Sequence, residues 1–557
     1  MKRRYFSEKF SPLVWEDVEL EIKKLLELPI KSVEDLIYFW ENVSEFTIIV
    51  SDVYGELYIK MTQFSDQPKY AKEFHRYIDE IVARCQPIEF QLKKKFCESL
   101  YFSQLPKEYI HLGNILKNDK DIFREENVAF LVEEEKLTAK YAEITSKMTV
   151  LFDGEEKTIQ QLNGYLENKD RTIRECAWRA MYERYMRDQE QLDILFDNLK
   201  TIRIQIAKNA GFENYRDYVH KAKGRFSYSP GDLLQLHESV LQVVVPLVSE
   251  FDKERKEKLQ LETVRPWDLK VSLEEEVDNP FHTHIELVEK SIRTIVKVDE
   301  GFGRELESMW KHNRIDAENR KGKAPGGYCY PLYEKGSSFI FMHSVGVRGD
   351  IETLMHEAGH AMHNMMKRDE KILEYREGPS EVAELASMSM ELLSFKHREE
   401  FYKLKDLEGL YRDELKTKIQ HLPWEIVIDA FQHWIYLNPE RNADERRIYF
   451  SELMDRFNVG GDWTGLEKEK VVRWMMLLHI FEIPFYYIEY TLAQLGALAI
   501  WRNYKKDPKK TIEQYKNFMR LGYSQTVSEI YEAAGIRFDF SKEYIRELMN
   551  FVREELK

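Results

Sequence analysis

His356 and His360 stand four residues apart, with Glu357 directly after the first, in the run IETLMHEAGHAMHNMM. On an α-helix, at about 100° per residue, two imidazoles at this spacing leave one face about one turn apart and can close on a single Zn²⁺. Glu357 then points at water on that ion, which is the pairing of metal and general base found in zinc peptidases. The surroundings read as a buried helix. Ile351, Leu354, Met355, Ala358, Ala361, Met362 and Met365 follow an i, i+3, i+4, i+7 spacing, and Gly349-Asp350 offers a turn and an N-cap before them. Histidines on such a helix need a partner, either a metal or a hydrogen-bonding neighbour in the core. The motif and its context together favour the metal.

A hydrolytic Zn²⁺ takes three protein ligands and keeps a fourth position for water, so a third ligand is required. The extended spacing H-E-x-x-H-x-x-G-x-x-H is not met, because His363 stands where Gly is needed and Met366 where His is needed. No cysteine lies nearby, which leaves a downstream carboxylate. The run EGPSEVAELASMSMELLSF supplies candidates, with Gly378-Pro379-Ser380 as a helix start and Val382, Ala383, Leu385, Ala386, Met390, Leu392 and Leu393 as a buried face. Carboxylates in such a run are costly unless paired or bound to metal. Glu381, Glu384 and Glu391 lie near one another on one side of it, and periodicity does not choose among them. Depth favours Glu384, one turn inside the helix, whereas Glu381 in the first turn can simply serve the helix dipole. Glu391 suits a carboxylate that orients a ligand imidazole. His363 shares the face of the two motif histidines. A fourth protein ligand would close the site to water, so an outer or substrate-side role fits it better.

A second group with chemical capacity lies in HIFEIPFYYIEYTLAQLGALAIW. His479, Tyr486 and Tyr490 are seven and eleven residues apart and share a helix face if Pro484 only kinks the helix. Their donors could meet the negative charge that develops on a carbonyl oxygen during hydrolysis. An aromatic core stripe is the plainer alternative.

The elements that must carry these groups are mostly helices. Segments with helical period and few Gly or Pro run roughly through 13–27, 32–64, 68–102, 106–118, 130–147, 170–209, 231–260 and 283–312, so the chain reads as mainly α. Two places read as β. Asp153-Gly154 sits between short β-favouring runs, as in a hairpin, and Tyr328–Tyr330 and Phe339–Met342 are punctuated by Gly and Pro just before the HEAGH run. A small sheet there would border the metal site, and its edge could pair with an extended peptide through main-chain hydrogen bonds. An ordinary core hairpin is the alternative. Residues 1–200 read as an N-terminal helical lobe with the small hairpin, and residues 201–557 as the region carrying the chemistry.

Bulk composition narrows the class. With 83 Lys plus Arg against 98 Asp plus Glu, the formal charge of −15 is spread along the chain and argues against general nucleic-acid binding. The basic start MKRRYF is not followed by an apolar region, so it does not read as a signal peptide, and no stretch approaches the length of a membrane span. Cys85, Cys97, Cys176 and Cys329 are scattered, without zinc-binding or disulfide spacing, which suits a reducing compartment and places the expected location in the cytoplasm.

The pairing of HEAGHAMH with EVAELASMSMELL resembles the thimet oligopeptidase and oligoendopeptidase F family of zinc metallopeptidases. FIFMHSVGVRGDIETLMHE, the HIFEIPFYYIEY run and LGYSQTVSEIYEAAGI are similar to further segments of that family, over roughly residues 326–540, and the length suits the short oligoendopeptidase F or Pz-peptidase branch. The resemblance implies a zincin-like core with a small sheet in two helical lobes around a deep channel. It also implies one Zn²⁺ per chain on His356, His360 and Glu384, with Glu357 as general base. His479, Tyr486 and Tyr490 match positions that bind substrate and stabilise the transition state, and Tyr487 is an extra tyrosine among them. The implied substrates are short unfolded peptides cut internally. A peptidyl-dipeptidase or metallocarboxypeptidase of the same helical type is the alternative activity, and a helical peptide-binding protein without catalysis the alternative class.

Overall fold

The computed structural model describes residues 3–273, 279–324 and 326–557, which are mainly α with five short strands among the described residues. The chain divides into two compact units. Met1–Asp121, Val277–Leu407 and Gly496–Phe538 form the first, and Ile122–Glu276, Glu408–Leu495 and Asp539–Lys557 form the second. Residue 200, where the sequence reading divides the chain, lies inside the helix Gln189–Asn209 of the second unit. No helix among the described residues is long and apolar enough to cross a membrane.

In the first unit, the long helix Val33–Gln63 begins at Ser32, whose side chain accepts from the Asp35 amide. Its inner face joins Val18, Ile22 and Leu25 of the helix Trp15–Glu27 in an apolar core that also takes in Phe96, Leu112, Ile372 and Tyr375. A three-stranded sheet lies on this helix, with strand order β3 (Ile315–Asp316), β5 (Ser337–Phe341), β4 (Tyr328–Leu332). β5 is buried throughout and runs parallel to β3 and antiparallel to β4, pairing Cys329 with Ile340. β4 is an edge. Tyr330 packs so tightly on Gly55 of the long helix that an added Cβ would lie 2.3 Å from its ring. The region 283–312, which reads as one helix, is two. Asp299 ends His284–Val298 and caps Glu300–Lys311 by accepting from the Gly301 and Phe302 amides.

In the second unit, the expected hairpin forms from β1 (Thr149–Phe152) and β2 (Glu155–Thr158), with Asp153 and Gly154 both at positive φ, as a two-residue I′ turn requires. The stretch 170–209 breaks at Asp188 into Arg171–Arg187 and Gln189–Asn209. The helix Lys542–Glu555 packs its apolar face on Pro230–Lys258, which opens with Ser229 and Asp232 capping each other's backbone amides.

Candidate metal centre

The HEAGH run lies in the helix Arg348–Met366, which starts three residues earlier than the sequence reading has it. Asp350 is not the N-cap. It sits in the first turn, and its Oδ2 accepts from the amides of Val345, Gly346 and Val347, closing the loop that enters the helix. The second carboxylate helix, Ser380–Phe395, starts after Pro379 and is buried almost throughout. The two helices cross at Gly359, where a Cβ would come within 2.5 Å of the Ser387 Cα and 2.9 Å of the Ala386 carbonyl oxygen.

That crossing brings three donor atoms together. His356 Nε2 lies 3.2 Å from His360 Nε2 and 3.4 Å from Glu384 Oε2, and His360 Nε2 lies 3.8 Å from the same oxygen. Ligands about 2.0–2.1 Å from a tetrahedral Zn²⁺ stand about 3.3 Å from one another, so the donor set fits that ion in spacing as well as in chemistry. These three residues form a metal-competent group among the described residues. Glu381 is outside it, with its backbone oxygen bonded to the Tyr531 hydroxyl. Ser387 Oγ donates to Glu384 Oε2 at 3.0 Å and fixes the carboxylate's rotamer. On the far side of the His356 ring, Nδ1 lies 2.6 Å from Glu391 Oε1. That contact puts the ring proton on Nδ1 and leaves the Nε2 lone pair facing the other donors.

Burial pushes the Glu357 carboxyl up to about 7 and pulls His360 down to about 4. A dication between the donors would draw the carboxyl back down. His363 is also buried, its basicity well below the ordinary histidine range for that reason. Its ring faces Phe518 at 6.3 Å, so it is a core residue and not a substrate-side one.

His479, Tyr486 and Tyr490 belong to the second unit and do not lie on one helix. Proline's missing N–H ends Leu478–Glu482, and a new helix, Tyr487–Lys506, begins beyond it. Between them Phe485 adopts a left-handed backbone at φ 62°, a conformation that costs an L residue about 1–2 kcal/mol. The rings nevertheless cluster, with His479 5.6 Å from Tyr486 and 6.1 Å from Tyr490. Tyr487 joins them at 5.0 Å from His479, but burial and then the Glu425 carboxylate push its hydroxyl up to about 12.

The sequence model of Peptidase family M3 matches residues 164–550, more than half the chain and inclusive of His356, His360, Glu384 and the His479–Tyr490 cluster. The chain belongs to peptidase family M3. Among M3 relatives, Oligopeptidase PepF of Bacillus subtilis is 23% identical over 69% of this chain and 57% of its own length. Group B oligopeptidase PepB of Streptococcus agalactiae is 23% identical over 69% of this chain and 63% of its own. The matched region thus spans about three fifths of these curated relatives. A solved structure of PZ peptidase A with an inhibitor superposes with a TM-score of 0.91 over 99% of both chains at 24% identity, so the M3 chain shares that fold.

Two residues beside the candidate centre escape sequence reasoning. Gly359 sets the helix crossing, and the only sign of it in the sequence is a glycine inside a helical run. Cys329 of β4 lies beside the motif helix. Its thiol is pushed up by burial, with a further push from the Glu357 carboxylate. Nothing local marks it, because the proximity arises from sheet-on-helix packing.

Proposed function

We propose that this M3 chain is a zinc-dependent oligoendopeptidase that cuts internal bonds of short unfolded peptides. His356, His360 and Glu384 would hold one Zn²⁺ per chain, and the bound ion supplies a Lewis acid that polarises the scissile carbonyl and acidifies the attacking water. Glu357 takes the proton of that water and passes it to the leaving amine nitrogen. Glu391 keeps the His356 proton on Nδ1, so that Nε2 remains a ligand. His479, Tyr486 and Tyr490 are assigned to donate hydrogen bonds to the carbonyl oxygen as it gains negative charge. The outer edge of β4 is assigned to pair with the main chain of an extended substrate, a mode indifferent to side chains. All of these residues lie in 201–557, taken as the catalytic region. The acidic composition and four free cysteines suit a cytoplasmic enzyme without nucleic-acid partners.

The convergence of His356 Nε2, His360 Nε2 and Glu384 Oε2, with Glu357 on the same helix, supports this reading most directly. Glu357→Gln tests it. The variant is expected to retain one zinc per chain by metal analysis and to lose about 10²–10⁴-fold in kcat on an internally quenched peptide. Unchanged cleavage by zinc-loaded Glu357→Gln overturns the mechanism. Peptides with free and amidated C-termini then separate the two activities. An endopeptidase cleaves both at similar rates, whereas a carboxypeptidase or peptidyl-dipeptidase loses most of its rate on the amide.

A further inference from the structure

On a continuous helix, at about 1.5 Å per residue, His479 and Tyr490 would stand about 16 Å apart along the axis. Their ring centroids are 6.1 Å apart, and Tyr486 lies 5.1 Å from Tyr490. The gathering of the rings therefore depends on the chain reversal at Ile483-Pro484-Phe485, and that reversal depends on Phe485 staying in a backbone region where bulky L residues rest only if their surroundings hold them.

The surroundings hold both polar atoms of this residue. The Phe485 N–H donates to Gln432 Oε1 at 2.9 Å, and its carbonyl oxygen accepts from Arg225 Nη2 at 2.6 Å. Gln432 is itself oriented, since its Nε2 donates to the Ile428 carbonyl at 3.3 Å. The same Arg225 nitrogen donates to Glu489 Oε1 at 2.6 Å, one residue before Tyr490. Lys223 reaches that Glu489 oxygen at 3.2 Å and lies 5.2 Å over the Tyr486 ring. The Phe485 ring is buried against His433 and Tyr436, each at 5.6 Å. Gln432 and Arg225 are both buried, so neither bond is exchanged for water at little cost.

We propose that Gln432 and Arg225 are positioning residues for peptide hydrolysis. By clasping the amide and carbonyl of Phe485 they fix the reversal that brings His479, Tyr486 and Tyr490 to one point. The proposal rests on the assignment of those three side chains to the substrate carbonyl oxygen.

A double-mutant cycle on the full-length, zinc-loaded enzyme separates positioning from general support of the fold. Gln432→Met and Arg225→Lys are each assayed alone and in a Tyr486→Phe/Tyr490→Phe background, with zinc content and Tm measured alongside. In the otherwise native chain Gln432→Met is expected to lower kcat by about 10²-fold, the cost of misplacing a reacting contact by about 1 Å, with a smaller change in KM and full zinc. Arg225→Lys, which keeps a cation for Glu489 but loses the guanidinium Nη2 that reaches the Phe485 carbonyl, is expected to lose less. In the double-phenylalanine background either change is expected to cost no more than about two-fold further, because the two hydroxyls that the reversal brings toward His479 are gone. Equal losses in the two backgrounds, or an unchanged kcat in Gln432→Met, overturn the clasp. If Gln432→Met does not fold, Arg225→Lys is read by the same criteria. A Tyr486→Phe/Tyr490→Phe enzyme with native kcat overturns the assignment beneath the clasp, an outcome distinct from either of the others.

Discussion

The two nitrogens of the His356 ring have separate tasks, one toward the metal donors and one toward Glu391. Glu391→Gln keeps an acceptor near Nδ1 but removes its charge, and is expected to weaken zinc binding by about 10–100-fold in a competitive chelator titration. Glu384→Gln removes the charge of the proposed third ligand itself and should weaken binding more than that. Glu381→Gln, three residues away on the same helix, should leave affinity within about two-fold, since its carboxylate is outside the donor group. A damaging Glu381→Gln beside a harmless Glu384→Gln would move the third ligand. The sequence makes the approach of the two histidines legible because their spacing is local to one turn of helix. Glu381 and Glu384 are not separable in that way. Both lie on one side of their helix, and only the place where the second helix crosses the first decides which oxygen arrives.

That crossing is a property of two elements, and Gly359 controls it. Alanine at an exposed helical glycine would stabilise by about 1 kcal/mol through helix propensity. Here the new Cβ meets the Ser387 backbone at 2.5 Å, and backbone cannot step aside as a side-chain tip can. Overpacking of this kind costs about 1–3 kcal/mol, so the steric effect should win. Gly359→Ala is expected to lower Tm and, by spreading His356 and His360 from Glu384, to weaken zinc binding. A raised Tm with unaltered zinc affinity would show that the helices can part freely. The same kind of long-range dependence explains which elements were readable. The long amphipathic helices and the Asp153-Gly154 hairpin follow from period and turn chemistry. The break at Asp299 and the reversal at Phe485 do not, because a helical pattern continues through the first, and the second is held by Gln432 and Arg225, 53 and 260 residues away in the chain.

At the level of the molecule, each unit draws on three separated stretches, and the candidate metal donors belong entirely to the first. Leu548 is fully buried on the helix Lys542–Glu555, in the last stretch of the second unit. Replacing it by Asp should cost more than the about 2–5 kcal/mol of a Leu→Ala cavity. The Leu548→Asp protein is expected to lose peptide turnover while still binding one zinc. Parallel loss of zinc would show that the units do not fold apart. The interleaving also sets a clock on synthesis. The stretch that begins the first unit leaves the ribosome about 400 residues before the one that completes it at Phe538, which at about 5–20 residues per second is roughly 20–80 seconds. For roughly the last 180 residues of that interval the nascent chain already carries His356, Glu357 and His360, but the unit that holds them is not yet finished. A unit woven in this order brings its candidate donors into a finished fold only once the stretch that closes at Phe538 has been made.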